Sequence, residues 1–271
     1  MDLLVSGLTP DGGVFRVNDN GCERLDTTPT MGMAQTDRGL FCARLGFKEA
    51  RVDRLEGGRV AESWLVPGGA HPHDVTLDRG ALAVTDTLHD RIVWLDLDDG
   101  SVLDQWQATE LGDAWHVNTL LPGDDRLYAT HFGRFDGNRG WFGHGPERKG
   151  ELIEVSGDGP VVLRGLSAPH SPRRFGDNWL IVNTFEGALS LVAPDSSRLV
   201  DVVLGGWPVG LALVDGVAWV GVGDSHRLPS SLPPHGCTPG KLVGVSTKTW
   251  KVVAEVPLPF SGVYAVQAFE L

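Results

Sequence analysis

Short apolar runs rich in Val, Leu and Trp alternate along the whole chain with turns built from Gly and Asp. One stretch reads HPHDVTL, ALAVTDT, RIVWLDL and SVLDQWQ between residues 71 and 107. Short apolar runs separated by tight polar turns, with little helical periodicity over any twelve-residue window, are typical of β-strands rather than helices. The pattern therefore predicts an all-β protein.

The same four-strand unit recurs along the chain. Similar units span 31–66, 115–166, 169–204 and 207–258, while 3–27 supplies three strands and 261–269 supplies one. Four short strands joined by tight turns form one blade of a β-propeller. We predict a single domain over residues 1–271, a six-bladed β-propeller closed by pairing of the N- and C-terminal strands in one blade. A β-sandwich or a β-helix is the alternative.

Three histidines fall near the starts of predicted innermost strands. Counted back from the Gly of the following turn, His73 and His116 have the same spacing, and His170 is one residue closer. Three neutral imidazoles on neighbouring strands suit a divalent transition metal (Zn, Fe, Mn, Ni or Cu) with open coordination positions. We predict this metal site at the mouth of the channel, with His71 as a rival ligand to His73. The alternative is histidines that bond only to water or to one another.

Further polar residues are predicted on the same face, where the second strands end. His131 and Asp86 are the candidate proton-transfer groups. Arg173 is the third candidate catalytic residue, because a guanidinium matches a substrate carboxylate, although an ion pair with Asp86 or Asp224 would also satisfy it. For Trp115 and Trp207 the alternative role is packing between blades. For Asn118 the alternative is hydrogen bonding to backbone groups. The predicted substrate contacts are Arg134, Arg139, Trp115, Trp207, Asn118 and Tyr264.

Charge and cysteine content restrict the partners and the compartment. The net charge is −12 and no cluster of Lys and Arg occurs, which argues against a nucleic-acid groove. The three cysteines, Cys22, Cys42 and Cys237, have no metal-ligand spacing and suit a reducing interior. The start of the chain lacks signal-peptide features, and no apolar run could span a bilayer. We expect a cytoplasmic protein that binds a small molecule, without nucleic acid or membrane.

Four short segments stand out as motifs: HDV at 73–75, WHVNTL at 115–120, GLSAPHSPR at 165–173 and GLALVDG at 210–216. They resemble motifs of the bacterial DUF4915 propeller family, and the resemblance covers most of the chain from about Asp53 onward. The resemblance implies a propeller in which His73, His116 and His170 are the inner-strand histidines, with Asn118 and Arg173 beside them. The sequence departs from the family where SGVYAV replaces acidic residues before the last inner strand, which puts a shared acidic catalytic group in doubt.

Two classes of function fit these observations. The first is a metal-dependent lyase, isomerase or hydrolase acting on a small polar metabolite that bears a carboxylate. A non-haem iron or copper redox enzyme on the same histidines is a variant of it. The second is a non-catalytic propeller that binds a ligand or a protein. Three aligned imidazoles favour the first class, because a docking face has no need of them.

Overall fold

Short apolar runs separated by tight turns fold into six antiparallel sheets of four strands each. The computed structural model describes residues 1–46, 48–144, 147–223 and 239–269. The fold is an all-β, six-bladed β-propeller, as the repeat predicts. The chain divides into a first unit, Met1–Thr30 with His170–Leu271, and a second unit, Met31–Pro169. Organisation as a single domain stays a prediction.

The first unit holds three of the sheets. In one sheet the hydrogen-bonded order runs from the last strand to the first three, and the other two sheets follow chain order. The strands are β1 (Asp2–Gly7), β2 (Gly13–Asn18), β3 (Gly21–Asp26), β16 (Pro169–Phe175), β17 (Asn178–Asn183), β18 (Ala188–Val192), β19 (Arg198–Val203), β20 (Trp207–Val214), β21 (Val217–Gly223), β22 (Lys241–Ser246), β23 (Val252–Pro257) and β24 (Val263–Ala268).

The second unit holds the other three sheets, each in chain order. Buried apolar residues of these sheets form two cores, one that includes Phe41 and Leu82 and one that includes Ile92 and Leu120. The strands are β4 (Thr30–Thr36), β5 (Gly39–Arg44), β6 (Ala50–Glu56), β7 (Arg59–Val66), β8 (Val75–Asp78), β9 (Ala81–Asp86), β10 (Arg91–Leu95), β11 (Val102–Gln107), β12 (Leu120–Pro122), β13 (Leu127–His131), β14 (Gly150–Glu154) and β15 (Val161–Leu166).

The predicted pairing of the two terminal strands is present in the first unit. β24 runs antiparallel to β1, with Leu3 opposite Ala268 and Val5 opposite Val266. The Ser6 hydroxyl accepts a hydrogen bond of 2.8 Å from the Ala265 amide. These strands share one apolar core, so burial of side chains and backbone pairing both hold β24 in place.

Short 3₁₀ turns follow the second strand of two blades and tie it to the next inner strand. In Thr87–His89 the Thr87 hydroxyl donates to the Val117 carbonyl at 2.7 Å. In Thr184–Glu186 the Thr184 hydroxyl donates to the Pro208 carbonyl, also at 2.7 Å. A third 3₁₀ turn, Gly140–Gly143, lies between β13 and β14. In the described part of the chain, no helix is long and apolar enough to cross a membrane.

The inner strands of the second unit approach one another closely. A Cβ on Gly32 of β4 would lie 2.4 Å from the Asp74 Cα, so only glycine fits there. The Asp74 carboxylate accepts hydrogen bonds from the Val75 amide at 2.9 Å and from the Leu120 amide at 2.9 Å. Asp74 therefore joins the inner strands β8 and β12.

Candidate functional site

The register of the inner strands makes His71, and not His73, the counterpart of His116. The first paired residue of β8 is Val75, whose partner Val84 lies two residues before the end of β9. The first paired residue of β12 is Leu120, whose partner Ala129 lies two residues before the end of β13. His71 and His116 each lie four residues before that first pair. The equal spacing of His73 and His116 inferred from the sequence is therefore wrong as a guide to equivalent positions.

Unequal turns explain this difference. The turn from β8 to β9 has two residues between the pair Asp78 and Ala81, whereas the turn from β12 to β13 has four between Pro122 and Leu127. Counting back from the turn glycine therefore shifts one blade by two residues. Both strands also begin later than predicted, because His71 (φ 56°) and His116 (φ 58°) adopt left-handed backbone conformations that interrupt an extended strand.

A buried carboxylate holds the backbone around His116. Asp90 is fully buried and accepts hydrogen bonds from the amides of Trp115 (2.5 Å) and Val117 (3.1 Å). Burial raises the pKa of Asp90 to about 6, against the effect of these two amides. Left-handed backbone at a non-glycine residue costs about 1–3 kcal/mol and persists only where the surroundings enforce it. At His116 the hydrogen bonds from the flanking amides to Asp90 hold the backbone in this conformation.

His71, His73 and His116 form a contiguous group that we call the imidazole cluster. The ring centroids of His71 and His73 are 4.6 Å apart, and those of His73 and His116 are 4.8 Å apart with the rings almost perpendicular. His73 and His116 are buried, and His71 is half-buried. The structure thus brings together two predicted ligands, His73 and His116, with the rival ligand His71.

The third predicted ligand, His170, belongs to β16 of the first unit. Its Nδ1 is hydrogen-bonded to the Thr184 hydroxyl at 2.8 Å, and its ring meets the buried Tyr264 ring edge-on at 6.4 Å. The predicted role of His170 as a ligand stays a prediction.

Asp113 and two aromatic residues surround the His116 ring. Asp113 Oδ1 accepts hydrogen bonds from His116 Nδ1 at 2.7 Å and from Trp141 Nε1 at 3.1 Å. The His116 ring centroid lies 4.2 Å from that of Phe132 and 4.4 Å from that of Trp141. Arg139, a predicted substrate contact, is half-exposed, with its Nε 3.7 Å from Asp113 Oδ2. The loop between β13 and β14 therefore packs directly on His116.

His131, a candidate proton-transfer group, is completely buried at the end of β13. Its Nε2 lies 3.2 Å from Glu151 Oε2, and its ring lies 5.0 Å from that of Trp115. Burial lowers the pKa of His131, opposed by the Glu151 carboxylate. Arg134 binds the same Glu151 oxygen at 3.0 Å and stacks over Trp115 at 4.3 Å. The arrangement keeps His131 neutral and gives Trp115 and Arg134 packing partners within this group.

Asp86, the other candidate proton-transfer group, is fully buried among three donors. It binds Arg91 Nε at 2.6 Å, His89 Nδ1 at 2.9 Å and the Ala70 amide at 2.8 Å. The catalytic role of Asp86 stays a prediction. Its hydrogen bond from the Ala70 amide holds the backbone just before His71. His89 is thus bound to Asp86.

Two further predicted site residues lie in the first unit. Arg173 Nη1 donates to the Pro172 carbonyl at 2.8 Å, and its suggested partner Asp224 lies outside the described residues. Trp207 starts β20, with its ring 5.4 Å from that of Phe185. The Trp207 ring thus packs against Phe185, and its predicted contact with a substrate stays a prediction.

Asn118 is fully buried on the segment that leads into β12. Its Oδ1 accepts a hydrogen bond from the Thr119 amide at 2.6 Å and another from the Thr130 hydroxyl. Its Nδ2 is buried and has no hydrogen-bond partner among the residues that the structure describes. A buried donor without a partner costs about 1–3 kcal/mol, so Asn118 has a donor to offer to a bound molecule.

In the part of the chain that the structure describes, the side chains of the predicted metal site are not yet arranged around one point. No group of three or more His, Cys, Asp or Glu side chains there is already placed to hold a metal ion. A metal ion in the imidazole cluster therefore requires rotation of at least one ring, or a ligand from outside the cluster. The donor chemistry itself fits, because neutral imidazoles are common ligands of transition metals.

The sequence analysis missed Asp90 and Asp113. Asp90 ends the 3₁₀ turn after β9 with φ 50°, and Gly187 occupies the equivalent position after β17 with φ 62°. A carboxylate at a position that favours glycine is an exception within the repeat, and this exception could have marked Asp90. Asp113 carries no such signal, because its partners His116 and Trp141 become neighbours only through the loop before β14.

Comparison with solved structures confirms the fold and nothing finer. A protein of unknown function from Bacteroides caccae matches with a TM-score of 0.68 and 15% identity, covering 98% of each chain. A crystal structure of a nidogen/laminin complex matches with a TM-score of 0.67 and 13% identity, covering 98% of this chain and 97% of the other. A luciferin-regenerating enzyme matches with a TM-score of 0.60 and 11% identity, covering 87% and 78%.

Sequence comparison identifies the family. No curated protein matches the sequence significantly. A family model described as "Domain of unknown function (DUF4915)" matches residues 43–231, a range that includes the imidazole cluster, Asp90, Asp113 and His170. The match confirms the resemblance noted in the sequence and spans more than half of the chain. This six-bladed propeller belongs to the DUF4915 family.

Proposed function

We propose that the imidazole cluster binds a divalent transition metal, and that the protein is a metal-dependent lyase, isomerase or hydrolase acting on a small polar metabolite with a carboxylate. The spacing of the imidazole rings carries this proposal. With metal–nitrogen bonds of about 2.1 Å, the centroids of two imidazoles on one metal lie about 5 Å apart. The centroid separations of 4.6 Å and 4.8 Å in the cluster are close to that value, but rotation of a ring or a ligand from outside the cluster is still needed to complete the metal site.

Support also comes from the environment of the cluster. Asp113 occupies the Nδ1 side of His116, which leaves Nε2 for a ligand bond. A carboxylate bonded to the far nitrogen of a histidine is the usual support of a metal ligand. A bound divalent ion there would polarise a substrate oxygen and lower the pKa of a bound water molecule.

Substrate binding would fall to polar groups near the cluster. The half-exposed guanidinium of Arg139 lies beside Asp113 and can bind a carboxylate in a bidentate manner. Asn118 offers a buried amide donor. Because the protein carries a net charge of −12, an anionic substrate needs such local cations and donors.

Metal analysis of the purified protein tests the binding step. After reconstitution with each candidate metal in turn, we expect one metal ion per chain in the wild type. His71→Ala and His116→Ala should each abolish stoichiometric binding while the melting temperature of the metal-free protein changes little. His89→Ala is the matched control, because that half-exposed imidazole binds Asp86 outside the cluster. Absence of bound metal in the reconstituted wild type would reject the proposal, as would equal loss in the control.

A metabolite screen with and without chelator tests the catalytic step. We expect turnover of a carboxylate-bearing metabolite that stops when the metal is removed and returns when it is restored. Turnover that survives complete metal removal would contradict the metal-dependent reaction. Binding of a ligand or a protein without turnover would instead support the non-catalytic alternative.

The proposal includes a cytoplasmic location. Cys22 is an exposed free thiol, and Cys42 is buried. An exposed free thiol suits a reducing compartment. Fractionation of cells that express the protein tests this point, and recovery in a secreted or periplasmic fraction would contradict it.

A further inference from the structure

We infer that Asp113 is a positioning residue that fixes His116 in the tautomer with its proton on Nδ1, so that Nε2 is the atom presented to a ligand. Asp113 lies three residues before His116 and is 2% exposed. The tautomer follows from contacts within the second unit alone. Only the consequence for metal affinity rests on the proposed function.

The donors and acceptors of Asp113, His116 and Trp141 fix the position of the imidazole proton. Trp141 Nε1 can only donate, and it donates to Asp113 Oδ1 at 3.1 Å. A carboxylate oxygen accepts, so the contact of 2.7 Å between the same Oδ1 and His116 Nδ1 requires a proton on Nδ1. In the neutral imidazole the lone pair then resides on Nε2. That nitrogen can bind a metal or accept a proton.

Packing against neighbouring rings holds the His116 imidazole in this orientation. The ring lies against Phe132 and Trp141, with centroid distances of 4.2 Å and 4.4 Å, and its neighbour His73 stands almost perpendicular to it. Rotation of the ring by half a turn would place a carbon against the carboxylate and lose the hydrogen bond. Asp113 is itself fixed, because its carbonyl accepts the Arg139 amide at 2.7 Å.

Loss of this support should weaken metal binding. Removing the hydrogen-bonded partner of a histidine ligand typically lowers metal affinity by about 10- to 100-fold. We expect that range for Asp113→Ala. Asp113→Asn keeps an oxygen acceptor at the same place without the charge, so a smaller loss is expected.

Nitrogen NMR of the histidine side chains in the metal-free protein tests the inference directly. We expect the proton of His116 on Nδ1 in the wild type and in the control Trp141→Phe, which removes the indole donor to Asp113 and leaves the Asp113 carboxylate in place. Asp113→Asn should keep the proton on Nδ1, whereas Asp113→Ala should move it to Nε2 in a substantial fraction of molecules. Metal titration of the same samples supplies the affinities.

The outcomes separate this inference from the proposed function. A wild-type His116 protonated on Nε2 would overturn the inference, even if Asp113→Ala does not fold. An unchanged tautomer in a folded Asp113→Ala protein would overturn it as well. If the tautomer behaves as expected but the wild type binds no metal, the proposed function fails and the positioning role of Asp113 stands.

Discussion

The carboxylate of Asp90 accepts hydrogen bonds from the backbone amides on both sides of His116, at 2.5 Å and 3.1 Å. Asp90 thus acts on the main chain while Asp113 acts on the imidazole, and the two carboxylates fix different parts of the same residue. A histidine with φ 58° is strained, so this double support indicates that the position of the ring matters.

Asp90 should make stability depend on pH. Burial raises its pKa from 3.8 to about 6, so between these values the folded protein binds a proton that the unfolded chain has lost. The contribution of Asp90 to the free energy of unfolding therefore decreases by about 3 kcal/mol as pH rises from about 4 to about 7. Urea unfolding of Asp90→Asn across this range should lack that decrease.

The exposed Asp11 provides the matched control for this measurement. Asp11→Asn should retain the wild-type decrease between the two pH values. If Asp90→Asn and the wild type show the same pH dependence, Asp90 is not the group responsible.

The hydroxyls of Thr87 and Thr184 should each stabilise the fold. Thr87 donates to the Val117 carbonyl just before β12, and Thr184 donates to the Pro208 carbonyl in β20, each at 2.7 Å. Valine would remove that donor and keep the shape of the side chain. Because the carbonyl acceptors are buried, we expect a loss of about 1–3 kcal/mol for Thr87→Val and for Thr184→Val in urea unfolding. Thr76→Val, at a half-buried position of β8, is the control and should change stability little. Losses no larger than that of the control would show that these bonds do not stabilise the fold.

Deletion of residues 262–271 should abolish cooperative unfolding. The deletion removes β24 and exposes the edge of β1, together with the apolar core that Val263 and Val266 share with Leu3. Deletion of Glu270 and Leu271 alone is the control, because it leaves β24 intact. A protein that lacks 262–271 but keeps its melting temperature and remains monomeric would contradict closure by the terminal strands.

Substitution of His170 tests the ligand set implied by the sequence. His170→Ala should reduce bound metal to the same extent as His116→Ala if His170 is a ligand. Thr184→Val is the control, because it removes the hydrogen bond to His170 Nδ1 and keeps the imidazole. Full metal content in His170→Ala would restrict the site to the imidazole cluster.

The fold was predictable because its signals are local and repeated. Short apolar strands such as β9 and β10, joined by tight turns, recur in every blade, and even the pairing of β24 with β1 follows from counting strands. Register was less accessible, because the turn after β8 has two residues and that after β12 has four. Because residues were counted back from the turn glycine, this difference in turn length shifted the alignment of one blade by two residues.

The candidate site was predictable only in part. His73 and His116 were found because a propeller repeats its inner strands. The support from Asp113 was missed, because its contact with Trp141 joins residues 28 positions apart through a loop without a repeat. Contacts of that kind depend on the path of one loop, which periodicity does not encode.

The pairing of β1 with β24 has a consequence during synthesis on the ribosome. Leu3 emerges early, but its partner Ala268 is translated after more than 260 intervening residues. Throughout that interval the nascent chain carries an unpaired edge strand with the apolar sequence LLV, a template for association with other chains. Elongation rate and protection of this edge, rather than the stability of the finished propeller, should therefore govern how much native protein a cell obtains.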